Sequence, residues 1–213
     1  MKASDINILI ACEESQVECK AFRQAGCNAF SCDIQPCRKS GKPEWHIHGD
    51  VTPFLKGVTQ FTTQDGVRHN VLRWHLIIAH PPCTYLCKMG SVWMWKDGHI
   101  VWSRFREMIL ARRFFFRCLN AEADFCCVEN PLPMARACLP KPTCYVQPYW
   151  FGSKYSKKTL YWLRNLPPLM PMFDNVPTRQ YVKSSRGKYR SVSFQCIADA
   201  MVSQWLPILC EGV

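Results

Sequence analysis

The stretch HLIIAHPPC, His75 to Cys83, decides how this chain folds. Leu76-Ile77-Ile78-Ala79 is apolar without alternation, the pattern of a strand buried on both faces, as in a parallel sheet. Pro81 and Pro82 cannot donate to a sheet ladder, so the strand must stop there. The same prolines fix the backbone that presents Cys83. A cysteine so placed is either a nucleophile, where its thiolate is favoured, or a structural residue beside a turn.

Working outward, residues 6–12 (INILIAC) read as a first strand. Ser15-Gln16-Val17-Glu18 has the capping-box spacing of a helix start, and Gly26 is a natural stop. Residues 28–34 (NAFSCDI) read as a second strand ending in Asp33, and 45–50 (WHIHGD) as a short third strand ending in Gly49-Asp50. Residues 51–73 look irregular. Residues 100–120 read as a helix with one apolar and one basic side. Residues 124–128 (DFCCV) form a further strand, followed by Glu129-Asn130-Pro131. Residues 143–150 and 159–164 suggest an antiparallel pair, 166–190 a proline-rich basic loop, and 194–206 a closing amphipathic helix. Strands alternating with helices predict one α/β domain over 1–213 with a mostly parallel, Rossmann-like sheet.

In such sheets the working residues lie beyond the carboxyl ends of the strands. Five segments converge there: Cys12-Glu13-Glu14-Ser15, Asp33, Asp50, Pro81-Pro82-Cys83 and Glu129-Asn130-Pro131. A thiol and a carboxyl at neighbouring strand ends supply a nucleophile and a proton donor, the pair needed to attack an electron-poor ring. His46, His48 and His80 read as ordinary polar strand residues.

Composition narrows the class. The chain has 213 residues, 48% of them hydrophobic, but no apolar run approaches a membrane span of about 20 residues. The amino-terminal segment reads as a strand rather than a signal peptide. Of 14 cysteines, several sit inside apolar runs as small buried hydrophobes, and no Cys-x2-Cys pair occurs, so no metal site is expected. A reducing, cytoplasmic compartment follows. The net charge of +11, with arginine and lysine interleaved with aromatics, suits a phosphate-rich partner.

These motifs resemble the cytosine-5 DNA methyltransferases: Pro-Pro-Cys after one strand, Val-Glu-Asn after the next, an acid after strand two and Gly-Asp after strand three. ACEESQ, HPPCTYL, ENP, the QPYWFG…KKTLYWL segment and the terminal IADAMVSQW further resemble a compact phage branch of that family, from end to end. The resemblance implies S-adenosylmethionine as cofactor and DNA as partner, with RNA or a deoxycytidine nucleotide as alternatives. It also implies a role in evading restriction. Cys83 would add to C6 of cytosine, Glu129 would bind N3, Asn130 would position backbone, and Lys157 would stand where the family carries arginine. Cys12, Glu13, Glu14, Ser15, Asp33, Ile34, Asp50, Val51 and Pro81 would line the cofactor site. Trp93, Trp95, Lys96, Lys154, Lys158, Arg186, Lys188 and Arg190 would meet nucleic acid. Trp93 and Trp95 read equally well as a cluster packing on the helix at 100–120.

Three departures stand out. The glycine-rich turn after strand one is replaced by Cys-Glu-Glu-Ser, and its two carboxylates face the expected place of the cofactor's own carboxylate. Lys157 and Thr159 replace arginines, and lysine is a point charge rather than a planar fork. Only about 25 residues stand where the family inserts a target-recognition domain, too few for a module of ordinary size. A rival reading is therefore a methyltransferase-like protein that binds DNA, nucleotide or another protein without turnover.

Overall fold

Leu76–Ala79 lies at the centre of a seven-stranded sheet, hydrogen-bonded on both sides to parallel partners and fully buried. The computed structural model describes residues 1–173, 180–181 and 193–212. The sheet strands are β1 (Asn7–Ala11), β2 (Asn28–Asp33), β3 (His46–His48), β4 (Leu76–Ala79), β5 (Phe125–Asn130), β6 (Cys144–Val146) and β7 (Thr159–Arg164). Their order is β6-β7-β5-β4-β1-β2-β3. The four contacts among β1–β5 are parallel, and β7 runs antiparallel to both β5 and β6. From β1 the chain winds outward to β2 and β3; from β4 it winds the other way to β5. The topological switch therefore falls between β1 and β4, where such sheets open a crevice.

Side chains alternate between two cores, as the pleat requires. On one face Leu9, Ile77, Ala79, Cys126 and Val128 pack against α2 (Trp102–Leu119) through Met108, Phe115 and Cys118. On the other, Ile8, Ile10, Leu76, Ile78 and Cys127 pack against α1 (Val17–Gln24) and α3 (Gln195–Glu211) through Phe22, Met201 and Trp205. Among the described residues no helix is long and apolar enough to cross a membrane.

Local chemistry departs from the sequence pattern in four places. Residues 51–73 are not irregular throughout. Gln60–Thr62 and Arg68–Asn70 form a small antiparallel ribbon around Gly66, with Phe61 stacked on Trp74 at 5.6 Å. Strands of three residues are too short to show alternation. The Ser15 capping box does not form, and α1 starts at Val17. Glu13, two residues upstream of Ser15, accepts the Glu18 backbone N–H at 3.0 Å and the Ser15 hydroxyl at 3.3 Å.

The closing helix runs on through Pro207 to Glu211. The start of the 166–190 segment is docked rather than loose: Leu166 and Leu169 are buried, Trp205 Nε1 donates to the Pro167 carbonyl at 3.0 Å, and Gln204 bonds both backbone groups of Met170. Gln180–Tyr181 pairs in parallel with Tyr155–Ser156. Arg186, Lys188 and Arg190 lie outside the described residues.

Candidate active site

The ladder continues one residue past β4, where His80 N–H donates to the Ala11 carbonyl at 2.9 Å. Pro81 and Pro82 then end it, and Pro81 is buried. The chain turns at once: the Cys83 carbonyl accepts from both Leu86 and Cys87, each at 2.9 Å. The loop after β5 runs alongside. Lys88 N–H donates to the Leu132 carbonyl at 2.8 Å, Met134 N–H to the Leu86 carbonyl at 2.7 Å, and Cys87 pairs with Pro133 as an isolated bridge. Two backbone hydrogen bonds thus stitch the loop that carries Cys83 to the loop that follows Glu129.

Cys83 is half-buried and its thiol is pushed up to about 11, mainly by burial. The nearby Cys87 and the Glu129 carboxylate add to the rise, and the Lys157 ammonium opposes it. The same Lys157 acts on Glu129. Cys83, Glu129 and Lys157 therefore share one electrostatic neighbourhood. Asn130 alternates to the opposite face of β5. Its side chain is fully buried, and neither amide atom has a hydrogen-bond partner among the described residues.

Beneath Glu129 lies a buried chain of ionisable groups. His80 Nδ1 is 2.9 Å from Glu129 Oε2, and His80 Nε2 is 3.3 Å from Glu18 Oε1. The second contact is an ion-pair distance without good hydrogen-bond angles, so Nε2 counts as unpartnered by strict geometry. Burial alone would lower the His80 pKa, but the Glu18 charge and the Glu129 hydrogen bond outweigh it and hold it well above the usual range. Burial would raise Glu18, yet the His80 charge brings it down to about 2. Glu129 is likewise drawn below its usual value against burial, by the His80 hydrogen bond and charge and then by Lys157. Glu13 moves the other way: burial, then the Glu18 charge, push it well up. His80 is thus no ordinary strand residue. Its position, one pleat after Ile78 on the α1 face and just before the prolines, was the only sequence signal.

The strand ends beyond β1–β3 gather Cys12, Asp33 and Asp50: burial first, then both aspartates, push the Cys12 thiol up to about 12. Asp33 Oδ1 accepts the Gln35 N–H at 2.8 Å; Asp50 Oδ1 accepts the Thr52 N–H at 2.9 Å and its hydroxyl at 2.8 Å. No described residue donates to the other oxygen of either aspartate. A Cβ on Gly49 would meet nothing within 4 Å, so the space beside Asp50 is open. Ile34 is exposed next to Asp33, whereas Val51 is buried.

The turn after β1 is made without glycine. Cys12 and Gln16 take left-handed conformations, at φ 62° and 60°, each costing roughly 1–2 kcal/mol. Gln16 is held there by its buried amide, which donates to Ser31 Oγ and the Lys42 carbonyl and accepts the Lys42 N–H. The two carboxylates of this turn are both engaged. Glu13 faces inward, and Glu14 is paired with Arg38, whose Nη2 lies 2.7 Å from Glu14 Oε1. Glu13 also takes the Glu18 amide that could otherwise meet an anion.

On the outer side, the loop after Cys83 leaves Trp93 exposed at 67% and Trp95 at 42%, so neither is a core residue packed on α2; Met94 between them is buried instead. Arg136, which nothing in the sequence pattern singled out, lies over the Trp95 ring at 4.9 Å, and Arg104, from the basic side of the helix at 100–120, lies over Tyr85 at 5.0 Å. Lys88, Trp95, Leu132 and Arg136 line an open groove of about 640 Å3. Lys96 is exposed on this loop. Lys154 and Lys158 sit over Tyr155 and Tyr145 at 5.5 and 4.3 Å. Among the described residues no group of three or more His, Cys, Asp or Glu is arranged to hold a metal ion.

No protein-family model matches the chain, and no curated protein matches it. Among solved structures, a prophage-encoded E. coli protein that carries the provisional name of DNA modification methyltransferase matches with a TM-score of 0.43 and 14% identity. The match covers 80% of this chain and 52% of the other, so the chain spans about half the length of that structure.

Proposed function

We propose that the chain is an S-adenosylmethionine-dependent DNA methyltransferase acting at C5 of cytosine. The observation that carries this reading is the shared neighbourhood of Cys83 and Glu129 at the ends of adjacent parallel strands, on loops tied together by backbone hydrogen bonds. A thiol and a carboxyl so placed can attack C6 and hold N3 of one pyrimidine ring. Asp33 and Asp50 each keep an oxygen for donors of an adenosyl group, and the Glu14–Arg38 pair together with inward Glu13 removes the repulsion that two free carboxylates would exert. The residues therefore fit the cofactor, which supplies an activated methyl on a sulfonium when bound.

The residues of the chain divide the remaining work. The Cys83 thiolate adds to the ring, and Glu129 holds the ring nitrogen where negative charge develops. Lys157 favours the thiolate against burial. Trp93 and Trp95 offer stacking faces to bases, and Lys88, Lys96 and Arg136 meet phosphate. In a duplex the target cytosine must leave the stack, so an exposed aromatic loop next to the thiol suits the task.

The test is 5-methylcytosine in DNA from cells expressing the chain, read by mass analysis of nucleosides. The mark is expected with wild type and absent with Cys83→Ser. A wild type that leaves cytosine unmodified in DNA, RNA and free deoxycytidine nucleotides removes the enzyme reading. The high pKa of Cys83 favours a second reading, a non-catalytic binder of DNA or nucleotide. That reading expects tight DNA binding without any heat of S-adenosylmethionine binding.

A further inference from the structure

Both ring nitrogens of His80 face carboxylate oxygens, Nδ1 toward Glu129 and Nε2 toward Glu18. A neutral imidazole carries one N–H, so one nitrogen would confront a carboxylate with lone pair against lone pair. Only the imidazolium suits both, with a hydrogen bond from Nδ1 to Glu129 and an ion pair between Nε2 and Glu18. A second mismatch lies one step deeper. Glu13 Oε2 and Glu18 Oε2 are both buried, and among the described residues neither has a hydrogen-bond partner of good geometry. Two ionised carboxylates would repel there; one proton shared between them removes the conflict. The chain then reads Glu13 carboxylic acid, Glu18 carboxylate, His80 imidazolium, Glu129 carboxylate.

We propose that His80, clamped by Glu18, is the positioning residue that supplies the proton of Glu129 at the active site. The proposal rests on the reading of Glu129 as the group that meets a pyrimidine ring nitrogen. The N–H bond at His80 Nδ1 breaks and an O–H bond forms on Glu129, turning imidazolium and carboxylate into imidazole and carboxylic acid with no change in their total charge. The Cys83 S–H bond breaks and its proton passes to solvent; as the thiolate forms its C–S bond at C6, the Glu129 O–H bond breaks and an N–H bond forms at N3. The carboxylate is restored, and release of the thiolate reverses the path.

The surroundings hold the proton on His80 at rest, so it moves through Glu129 only as charge develops at N3. Glu18 and Glu13 face His80 from α1 and the turn before it. Glu129 and Tyr161 face the cluster from β5 and β7, Lys157 from the loop before β7, and Ser193 faces Glu18 from the residues before α3. Lys157 is the other cation of this neighbourhood, but His80 holds the direct contact with the carboxyl at 2.9 Å. Glu18 stays ionised and fixes the ring, which is why an acid with 1% exposure is tolerated.

Two measurements test this. The first is 15N NMR of His80 in the wild-type chain, assigned through its bonds to the backbone. Both nitrogens are expected to be protonated at pH 7.5, and one is expected to lose its proton at that pH in Glu18→Gln. The second is exchange of deuterium from C5 of cytosine in an oligonucleotide without any methyl donor, which reads ring attack alone. His80→Asn is expected to slow exchange by roughly 100-fold, with DNA affinity unchanged by fluorescence anisotropy. Glu18→Gln is expected to move the alkaline limb of the exchange profile to lower pH. An unprotonated wild-type ring nitrogen at pH 7.5, or an unchanged rate and profile in the variants, overturns the proposal. A wild type without any exchange removes the cytosine reading of Glu129, while the nitrogen shifts still decide the state of His80.

Discussion

Met134 donates its backbone N–H to the carbonyl of Leu86 at 2.7 Å. That bond joins the segment after Glu129 to the segment after Cys83, and it places two chemical groups by backbone rather than by side-chain contact. Side chains can change rotamer, but a paired main chain moves as a unit. The thiol and the carboxyl are therefore spaced by sheet register and by two loops that hold each other.

This coupling makes Gly90 sensitive. A Cβ at Gly90 would lie 2.6 Å from the Thr84 carbonyl oxygen, a backbone atom one residue after Cys83. Gly90→Ala must push that turn aside. The expected outcome is loss of any 5-methylcytosine formation with little change in melting temperature, because the strained contact sits in a surface loop. Melting curves and nucleoside analysis on one preparation check this. A fully active Gly90→Ala chain would show that the turn does not set the position of Cys83.

The charges around Cys83 predict its reactivity. Its thiol is pushed up to about 11, so alkylation by iodoacetamide should be slow at neutral pH and rise steadily toward that value. Glu129 contributes to the rise and Lys157 opposes it. Glu129→Gln should therefore speed alkylation at pH 8, and Lys157→Ala should slow it. Peptide mass mapping of Cys83 reads both rates. Opposite signs, or no change in either variant, would place these groups too far away to act on the sulfur.

The sheet and the placement of Cys83 and Glu129 at its strand ends were legible in the sequence because both are local. Leu76–Ala79 is buried in an unbroken run, and Pro81 and Pro82 mark its end whatever surrounds them. The His80 cluster was not legible, because its members come from α1, β4 and β5 and meet only after the sheet forms. Glu13 looked like a cofactor residue for the same reason: nothing in Cys-Glu-Glu-Ser says which carboxylate turns inward. The short ribbon at 60–70 escaped notice because three residues cannot show a period. Arg136 gives no sign in the sequence that it will cross to Trp95.

Asp33 gives the cofactor side its own test. Its Oδ1 is taken by Gln35, which leaves Oδ2 for a ligand. Asp33→Asn keeps the turn but exchanges an anionic acceptor for a neutral amide. If Asp33 holds the ribose hydroxyls of S-adenosylmethionine, affinity should fall by roughly tenfold, the value of one charge-assisted hydrogen bond at about 1.5 kcal/mol. Titration calorimetry measures it directly, with circular dichroism to confirm an intact fold. Equal affinity in wild type and variant would move the adenosyl group elsewhere.

The buried acids also set how stability varies with pH. Glu18 and Glu129 have lowered values in the fold, so their contribution is present above the ordinary carboxylate range and fades as pH drops toward 2. Glu13 and His80 have raised values, so each binds more proton folded than unfolded. Their contribution is complete below about 4.5 for Glu13 and about 6.5 for His80, and is lost as pH climbs toward the folded values. Stability should therefore rise from pH 2 to about 4.5, decline beyond it, and decline faster above about 6.5. Glu13→Gln separates the two falling limbs. Its carbonyl can still accept the Glu18 amide, its NH2 can donate to Glu18 without a proton to lose, and the slope due to Glu13 should vanish. Melting temperatures across pH 4–9 are expected to give a flatter curve for the variant, which should be at least as stable as wild type at pH 8. A variant that follows the wild-type curve throughout would show that Glu13 is ionised in the fold, and the shared proton between Glu13 and Glu18 would have to be abandoned.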